Sequence, residues 1–162
     1  MQARHPKFMR RQKLRSPHSS PAMPAERARG LVMNHRDWLA TDLARERLKE
    51  EWRRLFREWD IVLHPPAPFP ALPHDHSSPI EARRVVIDGE SQPYNDAFYV
   101  WADPATTCGL PATVAPIGHS PAGLPIGVQL IGPYLEDRTT IAFAEYIERE
   151  FGGFAPPPGY PG

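Results

Sequence analysis

The sequence predicts an α/β fold, and three observations carry that expectation. The runs Ala112-Thr113-Val114-Ala115-Pro116-Ile117 and Ile126-Gly127-Val128-Gln129-Leu130-Ile131-Gly132 hold few polar residues on either face, as largely buried strands do. Amphipathic segments with apolar residues at helical spacing lie on both sides of them. Proline, at 21 of 162 residues, is at more than double its usual share of about 5%, which excludes a coiled coil or a helical bundle. A chain of this length holds one domain.

The elements follow in order. Residues 1–29 are expected to form a disordered basic arm: no acid precedes Glu26, six basic residues occur by Arg15, and Pro6, Pro17, Pro21 and Pro24 interrupt any period. Arg10-Arg11 has the look of an export signal, but Ser16-Pro17-His18-Ser19-Ser20 supplies no apolar core behind it. From Asn34, a good N-cap, to about Trp59, apolar residues at Trp38, Leu39, Leu43, Leu48, Trp52, Leu55, Phe56 and Trp59 predict a long amphipathic helix. Its other face carries Arg45, Glu46, Lys49, Glu50, Arg53, Arg54 and Arg57 and reads as a solvated charged face. Asp60 to His64 is a short β-branched strand stopped by Pro65-Pro66, and the six prolines from Pro65 to Pro79 make a long irregular connection. The two strands named above are joined by a loop holding Gly118, Pro121, Gly123 and Pro125. Asp137 is the expected N-cap of a second helix with the stripe Ile141, Ala144, Ile147 and Phe151, ended by Gly152-Gly153.

Charge is divided along the chain. Residues 1–57 carry 15 Lys and Arg against 6 Asp and Glu, and residues 58–162 carry 4 against 13, so the two parts stand at +9 and −9. Such a split marks either a basic arm for nucleic acid or a partner surface of opposite charge, and the sequence alone leaves both open. No run approaches the ~18 apolar residues of a membrane span, so no membrane partner is expected. The single cysteine, Cys108, has no partner for an internal disulfide, in keeping with a cytoplasmic setting.

Three constellations could carry chemistry. Gly118-His119-Ser120-Pro121-Ala122 approaches a nucleophile elbow, but Pro121 lacks the backbone N–H that the oxyanion needs, and no helix follows; it reads as a turn. His74-Asp75-His76 puts two imidazoles on one face of an extended segment, yet without a third ligand they read as solvated side chains, and no metal is expected. Cys108 reads as a small buried side chain. There is no Walker loop, no G-x-G-x-x-G and no basic-aromatic stacking pattern, so no cofactor is expected and nucleic acid is disfavoured.

The order Gly109-Leu110-Pro111-Ala112, a strand ending Pro116-Ile117-Gly118, Gly123-Leu124-Pro125-Ile126-Gly127-Val128-Gln129, Gly132 and Asp137 before a helix resembles the C-terminal part of the amidase signature family. Trp52, Trp59 to Leu63, Pro65 and Pro157-Pro158-Gly159-Tyr160 extend the resemblance to about residues 30–162. It implies the C-terminal portion of a mixed sheet covered by helices, incomplete in itself, from a carbon–nitrogen hydrolase acting on amide bonds. Small-molecule amidases such as the fatty acid amide and aminohexanoate amide hydrolases are the nearer branch. The A subunit of the tRNA-dependent amidotransferases is the alternative, and a non-catalytic interaction module built from the same part is another.

The family's serine, cis-serine and lysine apparatus has no counterpart here. The lysines are Lys7, Lys13 and Lys49, and the adjacent serines Ser19-Ser20 and Ser77-Ser78 are each followed by proline, so no catalytic residue carries over. The resemblance places Trp101, Cys108, Gly109 and Leu110, on the strand and its preceding loop, at the substrate pocket. It implies two further partners: an N-terminal amidase fragment and a small-molecule amide. The apolar strands, short of helices to cover them, imply self-association as well.

Overall fold

The computed structural model describes residues 28–160, so the arm expected over 1–29 lies, but for its last two residues, outside the described residues. Residues 28–31 are already helical, and the long helix α1 (His35–Leu55) starts where the sequence places it: the Asn34 side-chain oxygen accepts from the Asp37 backbone N–H at 3.0 Å. Its outer face is laced by ion pairs at helical spacing, among them Lys49 with Glu46 at 2.6 Å and Arg54 with Glu51 at 3.1 Å. The helix ends at Leu55 instead of running on to Trp59, because residues 56–58 turn the chain into the first strand.

That strand, β1 (Val62–His64), is followed by the proline-rich stretch, which forms no regular element before a single 3-10 turn at Ile80–Ala82. Two elements then appear that the sequence reading lacks. A hairpin joins β2 (Arg84–Ile87) to β3 (Glu90–Pro93) through Asp88 and Gly89, both at positive φ (52° and 82°), the geometry of a tight two-residue turn. The helix α2 (Tyr94–Cys108) follows at once, so Trp101-Ala102-Asp103-Pro104 is helical and not a loop. Pro104 lies inside the helix, four residues before its end, and cannot donate the helical hydrogen bond to the Val100 carbonyl.

The strands β4 (Ala112–His119) and β5 (Pro125–Ile131) form an antiparallel pair, and β1 pairs antiparallel on the other side of β5. Directly opposed residues share a face. One face therefore holds Leu63, Leu130 and Thr113, and the other holds His64, Gln129 and Val114. The final helix, α3 (Asp137–Phe151), covers the first face over β4, where the Thr113 hydroxyl donates to Thr140 Oγ1 at 2.8 Å and Thr140 donates on to the Asp137 carbonyl at 2.8 Å. Trp101 of α2 covers the second face at His64.

The covering is partial, which corrects the expectation that both strands are largely buried. Leu130 and Ile131 are fully buried, but in β4 only Ala115 is buried and Val114 is 56% exposed. The stripe of α3 is also rotated from the expected one. Thr140, Phe143, Ala144 and Ile147 face inward, while Ile141 and Phe151 are exposed; Glu136, not Asp137, holds the N-cap position, and Asp137 opens the first turn. Gly152, at φ 89°, ends the helix as the sequence indicates.

Gly132 lies where β5 leaves the sheet under α3. A Cβ added there would come within 2.6 Å of Thr140 Cγ2, whose side chain is fixed by the two hydrogen bonds above. Gly132→Ala is expected to destabilise the chain by about 1–3 kcal/mol through overpacking, read as a lower urea midpoint, whereas Gly118→Ala meets no neighbour and tests only backbone strain.

Candidate functional site

The helix α2 organises the site along one stripe. Tyr94, Phe98, Trp101, Ala105 and Cys108 recur every three or four residues and so share a face. At its N-terminal end, Phe98 lies 6.0 Å from Tyr94 and 6.3 Å from Phe69 of the proline-rich stretch, ring centre to ring centre. In the middle, the Trp101 ring lies 5.0 Å from that of His64. At the C-terminal end, Ala105 and Cys108 are buried, and the Trp52 indole of α1 hydrogen-bonds the thiol.

Burial pushes the Cys108 thiol pKa up, against the weaker opposing pull of Lys49 and Arg45, so the sulfur is held as the neutral thiol. Gly109, at φ 64°, closes the helix, and the Leu110 N–H reaches back to the Ala105 carbonyl at 2.9 Å. Of the four residues that the sequence puts at a substrate pocket, Trp101 is half-buried beside His64, Cys108 is sealed, Gly109 caps the helix and Leu110 is half-buried.

A cleft of about 640 Å³ opens at the other end of α2, between the proline-rich stretch and the hairpin. Phe69, Leu72, Tyr94 and Phe98 give it apolar walls, and Arg83, Arg84, His74, Asp75 and His76 give it polar ones. Arg83 Nε donates to the Ser77 carbonyl at 3.0 Å; Arg84 donates to the Ser91 hydroxyl from Nε and to its carbonyl from Nη2. The Asp75 carboxylate accepts from the Ser77 N–H at 2.8 Å, and hydrogen bonds from the Ser77 side chain and backbone hold its pKa below the ordinary range. The His74 and His76 rings stand 5.9 Å apart and exposed. Among the described residues no group of three or more His, Cys, Asp or Glu side chains gathers as a metal site would require.

Sequence reasoning missed this cleft. The signals that could have found it are the Asp88-Gly89 dipeptide after a β-branched run and the period of Tyr94, Phe98, Trp101 and Ala105. It did read the segment around Ser120 correctly. The Ser120 N–H donates to the Leu124 carbonyl at 2.8 Å and its Oγ accepts from the Leu124 N–H at 3.1 Å, which makes it the clasp of the β4–β5 turn.

His64 and Gln129 oppose each other across β1 and β5, and His64 Nδ1 and Gln129 Nε2 are buried without a hydrogen-bond partner among the described residues. Burial lowers the His64 pKa, only partly offset by the nearby Pro65 backbone, so the folded chain prefers the neutral ring. The unfolded chain binds the proton more readily. Stability is therefore full above the unfolded pKa of about 6.5 and falls as the pH drops below it. The thermal midpoint of the wild type should fall between pH 7.5 and 5.5 more steeply than that of His64→Asn.

With this geometry in view, comparisons with known proteins agree. The family profile described as Amidase matches residues 9–141. The fatty-acid amide hydrolase 2-A of Danio rerio is 34% identical over 113 residues, which are 70% of this chain and 18% of that protein. The A subunit of the glutamyl-tRNA(Gln) amidotransferase of Gluconobacter oxydans (strain 621H) is 30% identical over 112 residues, 69% of this chain and 20% of that one. A crystal structure of an amidase superposes with a TM-score of 0.65 at 27% identity, covering 82% of this chain and 29% of its own. The chain thus spans about a fifth of the length of the curated relatives it matches. Among the described residues no helix is long and apolar enough to cross a membrane. The chain belongs to the amidase family, of whose α/β fold it forms a part.

Proposed function

We propose that the chain is the C-terminal part of an enzyme that hydrolyses the amide bond of a small molecule, and that another segment bears the serine and lysine apparatus. The observation that carries this reading is the mismatch between motif and cover. The family's glycine- and proline-bounded block folds as β4 and β5 around a buried Leu130–Ile131 core, while Val114 of β4, Ile141 and Phe151 of α3, and Trp38 and Leu43 of α1 are each at least half exposed. Apolar surface of that extent is matched by a covering layer or by self-association. Trp101, Cys108, Gly109 and Leu110 would then stand toward the substrate side only once that layer is in place.

The identity to an amidotransferase A subunit supports the same chemical class with an amidated donor as substrate. The unpaired, buried Cys108 fits a reducing, cytoplasmic setting. Co-expression with an amidase N-terminal fragment carrying the serine and lysine apparatus is the test. A stable complex that turns over an amide, where neither part does so alone, is expected; no complex, with this chain remaining a well-folded monomer, would favour the non-catalytic interaction module instead.

A further inference from the structure

The geometry points to the cleft between the proline-rich stretch and the hairpin as a binding site for a small organic acid, its carboxylate on Arg83 and Arg84 and its aryl or alkyl body against Phe69, Tyr94 and Phe98. The volume of about 640 Å³ lies within the span of small-molecule sites, roughly 300–1,000 Å³. Three aromatic rings line its apolar wall, with Phe98 against both Tyr94 and Phe69.

The charge is what selects an anion. Residues 58–162 carry only four Lys and Arg side chains, and two of them, Arg83 and Arg84, line this cleft. Neither comes within ion-pair distance of a carboxylate among the described residues, whereas Arg45, Arg53 and Arg54 of α1 do. Each is instead anchored by neutral acceptors, Ser77 for Arg83 and Ser91 for Arg84, which aim the guanidinium without cancelling its charge. Arg83 commits only Nε and Arg84 only Nε and one Nη2 proton, so most of the five donors of each remain to offer a fork to a planar carboxylate. One carboxylate, Asp75, lines the same cleft; it accepts from the Ser77 N–H and is also attracted to the Arg83 guanidinium, and two guanidiniums against one carboxylate leave the lining with a net positive charge. An uncharged amide would gain the aromatic wall and forgo the charge-assisted pair.

This site needs no hydrolysis to be detected, so it stands or falls separately from the amidase reading. Titration of the full chain with 4-phenylbutyrate and, separately, 4-phenylbutanamide, followed by calorimetry at low salt, compares two probes that differ in one group. We expect the acid to bind at least tenfold more tightly than the amide, to weaken as salt is raised, and to lose at least tenfold in the Arg83→Gln, Arg84→Gln double variant. The comparison of acid with amide on the wild type holds even where that variant folds poorly. Equal affinity for acid and amide, no binding of either, or undiminished binding of the acid by a folded double variant would overturn the inference.

Discussion

The isolated chain is expected to release no product from benzamide-type or fatty-amide substrates above the buffer blank, and to take no covalent label from a fluorophosphonate probe. Amide hydrolysis at an enzymatic rate requires an activated nucleophile and aligned oxyanion donors, and their loss forfeits most of a rate enhancement of at least ~10⁶-fold. The candidates within the described residues are occupied elsewhere. Ser120 Oγ closes the β4–β5 turn against the Leu124 N–H, and the next residue, Pro121, has no N–H to offer. The Cys108 thiol is fully buried and held protonated. Lys49 is paired with Glu46 at 2.6 Å on the side of α1. Turnover that survives rigorous purification, or stoichiometric labelling of Ser120, would contradict this assignment.

Leu130→Ala is expected to lower the stability of the chain by about 2–5 kcal/mol, the usual cost of truncating a sealed leucine. Leu130 is fully buried in the central strand and stands between Leu63 of β1 and Thr113 of β4. The buried hydrophobic residues number only seven among those described, and three of them are alanines, so few neighbours can close over the gap. Against a typical total of about 5–15 kcal/mol, the loss removes much of the margin. Urea denaturation should show the midpoint collapse in Leu130→Ala and stay within about 0.5 kcal/mol of the wild type in Val114→Ala, whose side chain is mostly exposed on the uncovered face of β4. Equal effects at the two positions would mean that β5 does not centre the core.

What could be seen in advance follows from how locally each feature is encoded. The cap at Asn34, the start of α1, the positions of the two apolar strands and the glycines after α3 are written in neighbouring residues and stand where they were expected, whereas the end of α1 and the burial of the strands do not. The helix α2 was hidden because Pro104 falls inside it and speaks against a helix, although its stripe of Tyr94, Phe98, Trp101, Ala105 and Cys108 is unbroken and Ala105 and Cys108 are buried. The rotated face of α3 has a tertiary cause: the hydroxyl of Thr140 is claimed by Thr113 across the interface, which turns Ile141 outward. The cleft is the least local feature of all. It joins Phe69 and His74 to Tyr94 and Phe98 by folding a proline-rich stretch onto a hairpin, an arrangement that no fixed sequence spacing records.

As part of an amidase fold, the chain exposes apolar faces that we propose are covered by another layer in the whole enzyme. Sedimentation velocity of the isolated chain, run beside a hydrophobic-dye titration, tests it most directly, because α1, β4 and α3 all present large apolar side chains to solvent. Species heavier than the 18.3 kDa monomer are expected, together with strong dye fluorescence that falls when an amidase N-terminal fragment is supplied. A single boundary at 18.3 kDa, with a sharp thermal transition and no dye binding, would contradict it.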